Sequence, residues 1–151
     1  MLKIYIDADA CPVKEEVYRV ALRYELDVLV VANSGMGVPG GGRVRLIVVG
    51  KDLDAADDWI AGNVEDGDIV ITADIPLAAR CIEKGAAVIG PGGKPFTEEN
   101  IGEAVATRGL LSELRETGEI TGGPPPFGKK DRSRFLQRLD ETIHAIRRKG
   151  V

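Results

Sequence analysis

Residues 4–12 read Ile4-Tyr5-Ile6-Asp7-Ala8-Asp9-Ala10-Cys11-Pro12, an apolar run that ends on two acids and is followed at once by a cysteine and a proline. Alternate residues of an extended chain share a side, so Asp7 and Asp9 are expected to project together. Two carboxylates held this way repel, and each raises the pKa of the other unless a cation sits between them. Pro12 suits the first turn of a helix, and Val17, Val20, Ala21 and Tyr24 then repeat at helical spacing. The stretch reads as a buried strand, a costly pair of acids at its carboxyl end, and a helix.

The same order recurs downstream. Leu2–Ile6, Asp27–Ala32, Val44–Val49, Asp68–Thr72 and Ala86–Ile89 are Val/Ile/Leu-rich runs of the kind found in parallel strands buried on both faces. Helical patterns cover Val13–Tyr24, Asp54–Val64 and Ile75–Lys84, the last with Pro76 early and Gly85 just beyond its end. Strand–helix alternation predicts an α/β fold, a three-layer α/β/α domain with a mostly parallel sheet of about five strands. The link between the second and third strands has no helical period and is expected to be a long loop.

Thr97–Thr117 reads as a further helix, with a break expected near Gly109. The prolines of Gly118-Glu-Ile-Thr-Gly-Gly-Pro-Pro-Pro-Phe127 favour an extended linker. A basic amphipathic helix follows, with Leu136, Leu139, Ile143 and Ile146 on one face. Such a face needs a partner, either the domain's own helices or a second copy of the chain. The expected organisation is an α/β domain over 1–117, a Gly/Pro-rich linker over 118–128 and a C-terminal helix over 129–151.

Length and composition set the bounds. The 151 residues are one domain's worth, and 44% apolar with 29% charged residues is ordinary for a globular chain. No apolar run approaches membrane-spanning length, and Met1-Leu2-Lys3 leads straight into a strand rather than a signal peptide. The expected location is cytoplasmic, with no membrane partner. Cys11 and Cys81 form no metal-ligand spacing, and the single histidine, His144, rules out a His-rich zinc site. The net charge of −4 hides an asymmetry: Lys129–Lys149 carries eight Lys/Arg against three Asp/Glu, a net of +5, which leaves −9 on the remainder. A solvated helix face explains this as simply as a nucleic-acid contact does.

Gly35-Met36-Gly37-Val38-Pro39-Gly40 fits G-x-G-x-x-G, but Pro39 and the glycines through Gly42 cannot open a helix, and a strand follows. It is read as a mobile loop able to close over a substrate. The acids carry more. In an open α/β sheet, sites form beyond the carboxyl ends of the strands. Asp7 and Asp9 end the first strand, Asp74 ends the fourth, and Asp54, Asp57 and Asp58 open the helix after the third at i, i+3 and i+4. Carboxylates converging from three strand ends suit Mg²⁺ or Mn²⁺, hard ions that prefer oxygen ligands. Bland readings compete: Asp54 and Asp74 are good helix N-caps, and Asp57 and Asp58 could face solvent opposite Ala56, Trp59 and Ile60. Cys11 lacks a partner histidine and is read as a small buried residue rather than a nucleophile.

DADACPVKEEV, DAADDWI, TADIPLAARCIEKGA, TEENIGEA and the GGPPPF–KKDRSRF tail closely resemble the YaiI/YqxD family of bacterial proteins over nearly the whole chain. The layout is also similar, more distantly, to the PIN-like nuclease superfamily with its NYN branch. That likeness aligns Asp7 and Asp9 with its first acidic position, Asp54 or Asp57 with its second, and Asp74 with Leu77 with its third. A further acid of that superfamily has no counterpart, because Gly90-Pro91-Gly92 occupies the region.

The resemblance implies a metal-dependent nuclease hydrolysing phosphodiester bonds, with RNA as the expected partner. Asp7, Asp9, Asp57 and Asp74 would bind Mg²⁺ or Mn²⁺, and Asp54 or Asp58 would complete or orient the site. Lys14, Asn33, Ser34 and Arg80 are the candidate phosphate contacts, and the basic helix would hold the nucleic-acid backbone. Two alternatives stand beside it. Asp7-Ala-Asp9 resembles the D-x-D start of haloacid-dehalogenase-like phosphohydrolases, with Asp7 as nucleophile and Asp9 as acid/base, although Cys11 stands where Thr or Val is expected and no G-D-x-x-x-D follows. A non-catalytic PIN-like domain binding RNA or protein is the other.

Overall fold

The structure is a computed structural model that describes residues 2–9, 11–40, 42–52, 54–102 and 127–149. The elements run β1 (Lys3–Asp7), α1 (Lys14–Tyr24), β2 (Asp27–Ala32), β3 (Val44–Val48), α2 (Ala55–Asn63), β4 (Ile69–Ile71), α3 (Ile75–Glu83), β5 (Ala87–Ile89), β6 (Pro95–Phe96) and α4 (Lys129–Lys149). The strands form one sheet in the order β3-β2-β1-β4-β5-β6, parallel throughout except for the antiparallel β6. The fold is α/β with a mostly parallel sheet, as the alternation predicts.

Period-two alternation divides the strand side chains between two cores. Ile4, Ile6, Val28, Val30, Ile69 and Ile71 pack on one face with Val17 and Val20 of α1 and Phe135, Leu139 and Ile143 of α4. Tyr5, Val31, Val70 and Val88 point to the other face, against Ile60 of α2 and Leu77, Ala78 and Cys81 of α3. Burial on both faces is why these strands read as continuous apolar runs. The apolar face of α4 finds its partner within the chain: Phe135, Leu139 and Ile143 have no exposed surface, a burial that stabilises by roughly 1.5–3 kcal/mol per side chain.

One difference from the sequence reading is local. Strand β6 was not expected, since two residues including a proline carry no periodic signal. Proline is tolerated there because β6 is an edge strand. Between β2 and β3 the described residues of 33–43 form neither helix nor strand, matching the expected loop. Met36 and Val38 of that loop pack against the first core. The helix expected over 97–117 begins at residues 98–102, and its remainder, with the linker up to residue 126, lies outside the described residues. Among the described residues no helix is long and apolar enough to cross a membrane.

Candidate functional site

The strand order places a crevice between β1 and β4. From β1 the chain winds outward through β2 to β3, then returns to the opposite side of β1 as β4. Neighbouring connections depart to opposite faces at such a switch point, leaving an opening beyond the carboxyl ends of the two strands. A cleft of about 240 Å³ lies at this point, lined by Asp7 at the end of β1, Asp9 just after it, Asp57 of α2, and Thr72 and Asp74 after β4. Pro91, in the turn after β5, forms part of its rim.

Each acid is held differently. Asp7 Oδ2 accepts a hydrogen bond from Thr72 Oγ1 at 2.8 Å. Burial, the largest cause, pushes the Asp7 carboxyl above its ordinary range; the Thr72 bond opposes this, while Asp9 and Asp74 add to it. Asp74 caps α3, its Oδ1 accepting from the Leu77 N–H at 3.0 Å, and its own N–H donates to Thr72 Oγ1 at 2.9 Å. The capping and cleft-lining readings of Asp74 therefore hold together, one residue serving both. Asp57 is pushed up to about 6, first by burial and then by the charges of Asp74, Asp7 and Asp54. Among the described residues, no Lys, Arg or His forms an ion pair with Asp7, Asp9, Asp57 or Asp74.

Such a cleft fits a hard divalent cation in charge and in donor type. The fit is that of a hydrated ion: among the described residues no three His, Cys, Asp or Glu side chains converge closely enough to enclose a bare one. Magnesium characteristically keeps several waters and takes only one or two carboxylates directly.

The other expected site residues fall outside this lining. Asp54 stands at the N-cap of α2 without a capping hydrogen bond and acts on the cleft only through its charge on Asp57. Asp58 forms an ion pair with Arg80 at 2.8 Å, so the guanidinium expected to face phosphate is engaged with a neighbouring helix. Lys14 Nζ donates to the Cys11 carbonyl at 3.3 Å, beside the cleft. Asn33 and Ser34 sit just past β2, outside the cleft lining. The loop turns the Asn33 side chain inward, leaving its Oδ1 buried without a hydrogen-bond partner among the described residues.

Cys11 is buried and its thiol is pushed up by that burial, which disfavours the thiolate a nucleophile needs. His144 meets the Tyr24 hydroxyl at 3.0 Å, at the far end of α1 from the cleft. Thr72 is the residue sequence reasoning missed. Its signal was the Thr-x-Asp spacing, which lets one hydroxyl serve the acid of the adjacent strand and the backbone two residues on.

Residues 5–145 match the family described as "Uncharacterized BCR, YaiI/YqxD family". A UPF0178 protein of Rhodospirillum centenum is 57% identical over 152 residues, spanning 98% of this chain and 99% of its own. One from Paramagnetospirillum magneticum is 57% identical over 148 residues, covering 98% of each chain. Another, from Bradyrhizobium diazoefficiens, is 53% identical over 149 residues, covering 99% of this chain and 89% of its own. No solved structure matches the chain significantly. The chain belongs to the YaiI/YqxD family.

Proposed function

We propose that the chain is a divalent-cation-dependent nuclease that hydrolyses phosphodiester bonds in RNA. The observation that carries this reading is the gathering of Asp7, Asp9, Asp57 and Asp74 from three chain segments into one cleft, where among the described residues none of them forms an ion pair. A stabilising role does not account for it, because clustered like charges oppose folding.

Asp7, Asp9, Asp57 and Asp74 would hold Mg²⁺ or Mn²⁺. When bound, the ion supplies Lewis acidity toward a phosphodiester oxygen and an attacking water. Thr72 fixes the rotamer of Asp7 from one side, and the Leu77 N–H fixes that of Asp74. Both carboxylates are thereby oriented before any ligand arrives, which lowers the reorganisation needed during reaction. With no cation present, Asp57 holds its proton to a higher pH than an ordinary carboxyl does, and cation binding would displace it. Lys14 at the cleft edge, and the exposed Lys129, Lys130 and Arg134 of α4, supply positive charge for flanking phosphates.

This reading is favoured over a phosphohydrolase with Asp7 as nucleophile because Cys11 stands where that group has Thr or Val and no G-D-x-x-x-D follows a later strand. The test is cleavage of a labelled RNA with Mn²⁺, Mg²⁺ or a chelator. Metal-dependent cleavage that disappears in Asp7→Asn and Asp57→Asn supports the reading. Intact RNA under all metal conditions, or equal cleavage by both variants, removes it.

A further inference from the structure

The first two turns of α4 touch residues that adjoin both rims of the cleft, Pro12 beside Cys11 and Gly93 two residues beyond Pro91. On one rim, Arg132 Nη1 donates to the Pro12 carbonyl at 2.7 Å and to Glu16 Oε1 at 2.9 Å, joining the loop after β1 to the start of α1. Glu16 is a buried carboxylate, 8% exposed, whose Oε2 has no hydrogen-bond partner among the described residues. A buried acid with one cationic partner ties that partner down, since separating the two strands a charge away from water. The Arg132 guanidinium also lies over the Phe127 ring, 5.1 Å from its centroid. The turn around it is fixed by a cap: the Gly128 N–H donates to Asp131 Oδ2 at 2.9 Å.

On the other rim, the turn leading from β5 to β6 carries Pro91 and Gly93. Gly93 is buried at φ +91, and a Cβ there would lie 2.8 Å from both the backbone C and O of Arg134. That close approach presses the turn against the same stretch of α4. The start of α4 thus rests on both loops, one of them 120 residues away in sequence.

We propose that Arg132 is a positioning residue that clamps the Asp7–Pro12 loop through the Pro12 carbonyl, holding Asp7 and Asp9 in register with Asp57 and Asp74. The functional consequence rests on the reading of the cleft given above; the mechanical one does not. Cys11 lies inside the clamped loop and is 9% exposed, whereas Cys81 is fully buried in the opposite core, between α3 and the sheet. The two thiols report separately on loop opening and on opening of the whole fold.

The experiment compares the full chain with Arg132→Met and with the pair Glu16→Gln plus Arg132→Met. The pair removes the stranded charge and keeps the fold intact if the single change does not. Iodoacetamide labelling at each cysteine is followed by peptide mass spectrometry, alongside Mn²⁺ titration. Labelling of Cys11 is expected to rise about tenfold or more while Cys81 stays at its original rate, and Mn²⁺ affinity to fall about tenfold, the lower range for loss of an outer-shell support. Cys11 labelling within twofold of the unaltered chain overturns the proposal. So does Cys81 rising in step with Cys11 in the paired variant. Absence of Mn²⁺ binding by the unaltered chain counts against the proposed function alone, because the labelling needs neither metal nor RNA.

Discussion

Thr72 joins the two central strands at their carboxyl ends, donating through Oγ1 to Asp7 Oδ2 at 2.8 Å. Its hydroxyl is also the acceptor for the Asp74 N–H, and the residue is only 2% exposed. Thr72→Val keeps the shape but leaves that N–H unpaired and frees the Asp7 carboxylate to rotate. The expected loss is about 1–3 kcal/mol of stability, a fall in Tm of roughly 3–10 °C for a chain of this size. Mn²⁺ affinity should fall about tenfold with it. Thermal melts with and without Mn²⁺ separate the two, because a purely structural hydroxyl would lower both curves equally.

Asp57 gives the cleft its pH dependence. Its folded value of about 6 stands above the ordinary 3.8, raised by burial and by Asp74, Asp7 and Asp54. The folded chain therefore holds this proton more tightly than the unfolded chain does. The resulting stabilisation is complete below 3.8 and is lost as the pH rises through about 6. In metal-free buffer, Asp57→Asn should flatten this fall and raise Tm near pH 8. After discounting for solvent screening, the gain is about 1 kcal/mol, or roughly 3 °C. The same variant should lose the rise in Tm that Mn²⁺ gives the unaltered chain. Asp58→Asn is the control: its pair with Arg80 is exposed on both sides, so the expected change is about 0.5 kcal/mol or less.

Gly93 tests how tightly α4 is seated. At φ +91, with backbone atoms of Arg134 and Phe135 within 2.9 Å of a would-be Cβ, alanine must strain the turn or push the helix outward. Neither rigid partner can yield cheaply, so Gly93→Ala should cost roughly 2–4 kcal/mol. Gly92→Ala, with open space around the added carbon, should be nearly silent in the same denaturant titration.

The sheet was legible because four of its strands are buried on both faces and its strands alternate with helical periods, the pattern of an α/β fold. Asp27–Ala32 was bounded to the residue. Asp7, Asp9, Asp57 and Asp74 were legible because strand ends and helix starts are where open α/β sheets build sites. What the sequence hides is direction. Asp57 and Asp58 are adjacent in the chain, and only the seating of α2 on the sheet sends one into the cleft and the other to Arg80. Asn33 and Ser34 lie outside the cleft lining for the same reason: the strand end is legible, but not the way the loop beyond it turns. Arg132 could not be read at all, since nothing local tells a helix that its first turn will rest on the loop after β1.

Asp74 allows structure and chemistry to be separated at one position. Its Oδ1 caps α3 through the Leu77 N–H, while the carboxylate charge faces Asp57 across the cleft. Asparagine retains an oxygen that can accept from Leu77 but lacks the charge a cation requires; alanine lacks both. Asp74→Asn should therefore keep its stability within about 0.5 kcal/mol of the unaltered chain's, or gain slightly from relieved repulsion, yet lose Mn²⁺ binding and any metal-dependent cleavage. Asp74→Ala should lose the same binding and a further ~1 kcal/mol for the missing cap. If Asp74→Asn binds Mn²⁺ as tightly as the unaltered chain does, the residue is a helix cap beside the cleft and not a ligand, and the cation must be held by Asp7, Asp9 and Asp57 alone.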